Sequence, residues 1–430
     1  MERTAQAMQL TATEQAMLAG QAGQGAALAL RIVLGTARLL GARRLIPVAS
    51  AHIDGVLYHG DAGVHFAEKL VALGAKVSVP ATTNVGALDL LCPTTVRLAG
   101  HKRDMARRLM QAHEQLGCQA SWTCAPYQAG HRPAQGSDVA WGESNAVVFT
   151  NSVLGARTNR YGDYLDLCCA ISGRAPAYGL HLPENRRATL QIDTSALPAK
   201  LKALEVFYPV LGAWYGRAVG NAIGVITGLP ASLPEDWLKA FGAASASSGA
   251  VALFHIAGVT PEAPTAQAAL ANQPPVQVLK PSLAELLTVR DHLSTASAAD
   301  CDAAGAQIDA IAVGSPHFSF DECQRLNALL AGRRCQVPFY VCTGRHTIRA
   351  LQAADLLTHL QATGVTLVAD TCVVVTPILK GFSGLLMTNS GKFAHYGPAN
   401  TGHQTLFGSL EDCVETAVSG RLKRDESCWQ

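Results

Sequence analysis

From Ser282 onward the chain alternates between two hydrophobic periods. Helical patterns over Ser282–His292, Phe320–Leu330 and His346–Gln352 are interleaved with short apolar runs, Ile308–Val313, Pro338–Cys342 and Val365–Ala369. A short apolar run feeding a helix, repeated, marks parallel strands buried on both faces, because parallel neighbours need a helical crossover to connect them. The first half shows the same alternation less regularly. Helices are predicted over Ala26–Leu40, Val64–Leu73, Asp104–Leu116 and Tyr164–Ser172, with strands at Arg44–Ala49, Lys76–Pro80 and Gln119–Thr123. Thr11-Ala12-Thr13-Glu14 has the pattern of a helix-capping box.

At 430 residues the chain is too long for one hydrophobic core. The expected class is α/β with several domains. An Ala/Gln/Pro-rich stretch, 265–275, reads as a connector between an N-terminal region, 1–264, and a C-terminal region, 276–430. Within the N-terminal region, Leu201–Trp214 and Ala218–Thr227 read as Gly/Ala-rich helices, with Gly212 and Gly216 spaced for close helix contact, and Val251–Gly258 as a strand.

Composition excludes some partners. Charged residues are 15% of the chain and the formal net charge is +2, with no Lys/Arg block interleaved with aromatics, so no nucleic acid is expected. No apolar run reaches the ~18 residues of a membrane span, and the N-terminus lacks a secretory pattern, so no membrane is expected and a cytoplasmic location is. Twelve cysteines are scattered without a Cys-x-x-Cys pair. Most read as small buried hydrophobes, and a site assembled from distant cysteines stays open.

In parallel α/β folds, ligands bind beyond the carboxyl ends of strands. Chemistry-bearing residues cluster at such positions here: His52 to Gly63, Ala81 to Gly86, Cys124, Ser315 with His317, Cys342 to Arg345, and Asp370-Thr371-Cys372. Cys124 opens the densest stretch, which continues through Glu143-Ser144-Asn145, Asn151-Ser152 and Arg157 to Arg160. A cysteine at a turn among small polar and cationic groups suits a metal or cluster ligand facing an anionic substrate. Lys392, among small residues near the C-terminus, reads either as an anion contact or as a surface lysine.

Long motifs resemble the aconitase X family. They are His52-Ile53-Asp54-Gly55-Val56, Pro80 with Thr82-Thr83-Asn84, Thr123-Cys124-Ala125-Pro126-Tyr127, Val139 to Ser144, Asn151 to Arg160, Gly258 to Pro264, and Asn389-Ser390-Gly391-Lys392. The likeness covers roughly residues 10–420. It implies an aconitase-like large part, with α/β domains around a central cleft, and an iron–sulfur hydro-lyase acting on cis-3-hydroxy-L-proline, as in bacterial members, or on phosphomevalonate, as in archaeal ones.

The resemblance carries Cys124 and Cys372 onto cluster-ligand positions. The third position, a cysteine in the archaeal pattern, is Ser315. A serine oxygen is a harder ligand than thiolate, which points to a smaller cluster, [2Fe–2S], and to the hydroxyproline branch. Implied substrate positions are His52, Gly55, Val56, Leu57, Asn84, Val85, Ser144, Asn145, Asn151, Ser152, Lys392 and Phe393; the choice between the pairs 144–145 and 151–152 stays open. The small swivelling domain of aconitase-type enzymes, which carries the base, has no counterpart among these motifs. A separate small subunit is therefore expected to supply it, and the substrate is expected to be a small carboxylate. Phosphomevalonate dehydration is the alternative. A cluster-free binding protein of the same fold is the alternative outside catalysis.

Overall fold

The computed structural model describes residues 8–296, 308–381 and 383–430; Cys301 lies outside them. Three parallel sheets organise the chain, each with its own apolar core.

In the first, Ala51–Ile53 lies between Ala81–Thr83 and Ala140–Trp141, and both pairings are parallel. Helices Gln24–Leu39, Asp61–Ala72, Gly100–Gln115 and Leu165–Ser172 surround it. Their apolar faces, including Leu30, Val33, Leu70, Cys168 and Cys169, join Ile53 in one apolar core. The capping box of the first helix forms as expected: the Thr11 hydroxyl accepts from the Glu14 N–H at 3.3 Å, and the Glu14 carboxylate accepts from the Thr11 N–H at 2.9 Å. The strand expected at Lys76–Pro80 lies instead just after it, at Ala81–Thr83. Of Gln119–Thr123, Gln119 alone makes a β-bridge, to Thr82.

The second sheet has the order His255–Ile256, Gly224–Thr227, Leu190–Asp193, Gln277–Leu279, all parallel. The region 218–227 is therefore not a helix. Helix Phe207–Val219 takes in only its first two residues, and the β-branched run around Val225 and Ile226 pairs with Leu190–Asp193. Only His255–Ile256 of Val251–Gly258 is strand. The stretch 265–275 does not separate two regions: Ala269 and Leu270 are buried against Val225 and Ala263, and the strand that follows joins the sheet formed before it. Helix Phe207–Val219 packs on Glu235–Ser248, a helix the sequence reading missed. A Cβ on Gly212 would lie 2.4 Å from the Phe241 carbonyl oxygen, and one on Gly216 would lie 2.5 Å from that of Ser245, so the close contact needs both glycines.

The third sheet realises the alternation of the C-terminal part. Its order is Val365–Val368, Phe339–Thr343, Ala310–Phe318, Leu385–Thr388, Gln404–Phe407, entirely parallel. Capping boxes start the helices Phe320–Leu330, at Ser319 and Glu322, and Leu410–Ser419, at Ser409 and Asp412. Most described cysteines are buried, with Cys92 exposed and Cys335 and Cys428 between. Among the described residues, no helix is long and apolar enough to cross a membrane.

Candidate active site

Loops from the first and third sheets meet over a cavity of about 380 Å³. Cys124, Ser315 and Cys372 line it together, joined by Asn84, Val85, Leu57, Ser144 and Lys392. Three cluster positions and five substrate positions from the sequence thus converge on one space.

Both cysteine loops are fixed by His317. Its ring contacts the Thr123 hydroxyl through Nδ1 at 3.0 Å and the Thr371 carbonyl oxygen through Nε2 at 3.1 Å. Those threonines immediately precede Cys124 and Cys372. The His317 N–H also donates to Cys124 Sγ at 3.2 Å. Burial holds this imidazole at about 3, hence neutral. The His317 carbonyl in turn accepts from Lys239 at 3.1 Å, a buried cation held by Asp236 at 2.8 Å and by Glu322.

A second brace holds Cys372. Asp370, fully buried and in the left-handed region at φ 63°, takes both prongs of Arg345 at 2.6 and 2.7 Å. It also accepts from the Leu90 N–H at 3.2 Å, and its carbonyl accepts from Gly86, which ties the cysteine loop to the segment after Asn84.

The thiols differ. Burial, and after it the Glu143 charge, lifts Cys124 to about 12. Cys372 is lowered by a hydrogen bond from Cys342, against its burial, and the backbone N–H groups of Val374 and Val375 face it as well. Among the described residues no three His, Cys, Asp or Glu side chains sit together as a ready metal site. The convergent donors are two thiols and the Ser315 hydroxyl. In kind they fit an iron–sulfur group: sulfurs open to one cavity, each served by backbone N–H groups of the sort that tune cluster sulfurs.

Facing them, Lys392 pairs with Glu143. Burial opposes its charge, but Glu143 and Cys124 more than offset this and hold the ammonium above its ordinary pKa. Glu143 also caps helix Ser144–Ser152, accepting from the Ala146 N–H at 2.6 Å. That helix separates the two polar pairs. Ser144, at its start, lines the cavity. Asn151 bonds Thr158, Ala252 and Arg186, and Ser152 accepts from the Phe254 N–H at 2.9 Å, all within the core. Asn145 donates to the Cys124 carbonyl at 3.1 Å and to Tyr127 at 2.9 Å, behind the cavity wall.

Four other expected positions do not line the cavity either. His52 is fully buried on Thr82, at 2.9 Å, beside Trp141. Gly55 lies against Tyr164, Val56 is fully buried, and Phe393 packs into the first core.

Asp54, Glu143, Arg160 and Asp163 also stand on the cavity wall, with Asp166 behind Asp54. The sequence placed Glu143 and Arg160 in its densest stretch and Asp54 in a strand-end loop without giving any of them a role; an ionisable group within a long motif was the available signal for these three. Asp166 gave none, being one acid in an apolar helix.

Comparison with known proteins agrees over nearly the whole length. Models of the first, second and third domains of aconitase X match residues 7–184, 188–291 and 308–419. The chain is 42% identical over 426 residues to a cis-3-hydroxy-L-proline dehydratase of Pseudomonas aeruginosa, covering 98% of this chain and 72% of that protein. It is 40% identical over 418 residues to one of Hypocrea jecorina, covering 96% and 69%. A phosphomevalonate dehydratase large subunit of Methanothermobacter thermautotrophicus is 36% identical over 405 residues, covering 93% and 96%. The crystal structure of Thermococcus kodakaraensis aconitase X in its holo form superposes with a TM-score of 0.84 at 32% identity, covering 95% of this chain and all of that one. By sequence and by fold, the chain belongs to the aconitase X family.

Proposed function

We propose that this chain is the large, cluster-binding subunit of a hydro-lyase that converts cis-3-hydroxy-L-proline to 1-pyrroline-2-carboxylate. The observation that carries the reading is one cavity lined both by two thiols and by cationic and amide or hydroxyl groups of the kind that hold a carboxylate. The names of the Pseudomonas and Hypocrea relatives support the substrate.

Cys124 and Cys372, with Ser315 as the third donor, would hold the cluster, and the two-thiol set favours [2Fe–2S]. Bound there, it supplies a Lewis acid that polarises the substrate hydroxyl. The chain's own groups do the rest. Lys392 and Arg160 offer positive charge to the substrate carboxylate, and Asn84 and Ser144 offer neutral donors. These contacts strengthen as charge builds beside that carboxylate when the C2 proton leaves. Loss of that proton and of the C3 hydroxyl gives an enamine, which tautomerises to the cyclic imine.

The base is supplied by a small subunit docked over the cavity mouth. The words "large subunit" in the archaeal relatives' names support such a partner. The phosphomevalonate reading fits less well. Glu143 and Asp163 line the cavity against Lys392 and Arg160, and Glu143 already takes the Lys392 charge, which leaves little positive charge for a phosphate dianion.

The test is co-expression with the candidate small subunit, anaerobic purification and assay of both substrates. Turnover of cis-3-hydroxy-L-proline and not of phosphomevalonate is expected. Full cluster occupancy without hydroxyproline turnover would overturn the reading, and turnover by the large chain alone would overturn the split site.

A further inference from the structure

Two carboxyl groups beside the cavity have no role in the scheme above. Asp54 follows the strand Ala51–Ile53 and lines the cavity; Asp166 lies in the first turn of helix Leu165–Ser172 and is fully buried. The Asp54 N–H donates to Asp166 Oδ2 at 2.6 Å, and the Asn84 amide donates to Asp54 Oδ1 at 2.5 Å. Asp166 takes a further bond from the Leu167 N–H at 2.7 Å. Gly142 lets the two acids approach: a Cβ there would lie 2.4 Å from Asp166 Oδ2 and 2.9 Å from Asp54 Cβ.

Neither acid is paired with a cation. Among the described residues neither makes a salt bridge, and Lys392, whose charge partly offsets that of Asp54, is itself bound to Glu143. The groups facing Asp54 are Glu143, Asp163 and Asp166, all acidic, against Lys392 and the wall residues Arg160 and His59. Burial, then Glu143 and Asp163, raises Asp54 to about 7, and burial raises Asp166 to about 8. Asp54 thus has one oxygen tied to Asn84 and the other without a partner among the described residues, on the wall of the cavity that receives the substrate.

We infer that Asp54 is the general acid of the elimination, handing its proton to the departing hydroxyl oxygen, with Asp166 as its positioning residue. The inference rests on the dehydration proposed above. As the C3–O bond breaks, the O–H bond of Asp54 breaks and a new O–H bond forms on the leaving oxygen. Water departs, and Asp54 remains as a carboxylate that regains a proton from solvent before the next turnover. The C2 proton goes separately to the base, so the two transfers balance. A neutral carboxyl suits this role because it adds no charge to a site that must also hold a carboxylate substrate.

The experiment compares Asp54→Asn with the unaltered complex on two compounds, cis-3-hydroxy-L-proline and cis-3-chloro-L-proline. Chloride leaves without a proton. The variant is expected to lose roughly 100-fold or more in kcat on the hydroxy compound. It should keep chloride elimination within about 3-fold and the same iron content. Turnover of the chloro compound serves as the test of folding and binding. Equal loss on both compounds, or retained dehydration, would overturn the assignment. If the unaltered complex turns over neither compound, the hydroxyproline reading itself fails, a result distinct from retained dehydration by Asp54→Asn.

Discussion

The backbone N–H of His317 points at the sulfur of Cys124 at 3.2 Å, although the two residues are 193 positions apart in sequence. The His317 ring spans Thr123 and Thr371. One residue of the third sheet therefore sets the spacing of two thiols, one of which belongs to the first. His317→Ala leaves the backbone N–H in place and removes the ring. The expected outcome is a stability loss of about 2 kcal/mol in the cluster-free chain, from the Thr123 hydroxyl and Thr371 carbonyl left without their partner. Iron should also be lost several-fold faster to a chelator. Chemical denaturation and chelator kinetics check the two parts separately.

Arg345 and Asp370 test the second brace. Removing the guanidinium strands a fully buried carboxylate at a residue already in the left-handed region. Breaking a buried pair from one side costs about 3–5 kcal/mol. Arg345 is about a quarter exposed, so the low end, about 3 kcal/mol, is expected for Arg345→Met. Urea unfolding measures it, and cluster occupancy should fall with it because Asp370 precedes Cys372 by two residues.

Much of this was legible beforehand. The alternation after Ser282 marked three of the five strands of the third sheet, Ala310–Phe318, Phe339–Thr343 and Val365–Val368, because each holds a short apolar run separated from the next by a helical pattern. Cys124, Ser315 and Cys372 stood out because each follows a strand-like segment, Cys124 within a long motif and the other two at cluster positions that the family resemblance implies. Other parts were hidden for physical reasons. A short β-branched run around Val225 follows directly on helix Phe207–Val219, and nothing local announces the change of period. Asn151 and Ser152 look like ligand-binding groups in one dimension, but helix Ser144–Ser152 turns them toward the core, where Arg186 and Phe254 use them. Lys239 carried no signal in the sequence, and its role emerges only because the fold buries it against the His317 carbonyl.

Stability should fall in mild acid through buried histidines. His113 is fully buried, and desolvation lowers it to about 4 from an unfolded value near 6.5. Between those values the unfolded chain binds a proton that the folded chain refuses. Its contribution is therefore complete above pH ~6.5 and is lost as pH falls toward ~4, by about 1.4 kcal/mol per pH unit at most. Asp54 and Asp166 act in the opposite sense: the folded chain holds their protons, so their contribution is lost as pH rises from ~4 through about 7 and 8. Denaturation of the unaltered chain and His113→Phe between pH 7 and 4.5 separates these trends, and the variant should show the shallower acid loss.

The rate should carry the signature of a general acid. Dehydration by the complex is expected to fall on the alkaline side as Asp54 loses its proton, near pH 7. Asp163 lines the cavity, and its negative charge helps to raise Asp54. Asp163→Asn removes that charge, favours the Asp54 carboxylate and should move the alkaline limb to lower pH. A full pH profile of kcat for both proteins checks the direction.

The most direct test of the assignment is iron and sulfide content after anaerobic reconstitution, for the unaltered chain and for Cys124→Ser with Cys372→Ser. About two irons and two sulfides per chain are expected for the unaltered protein, as for a [2Fe–2S] cluster, and close to none for the double variant. An equal load in both proteins would contradict a cluster held by these two thiols.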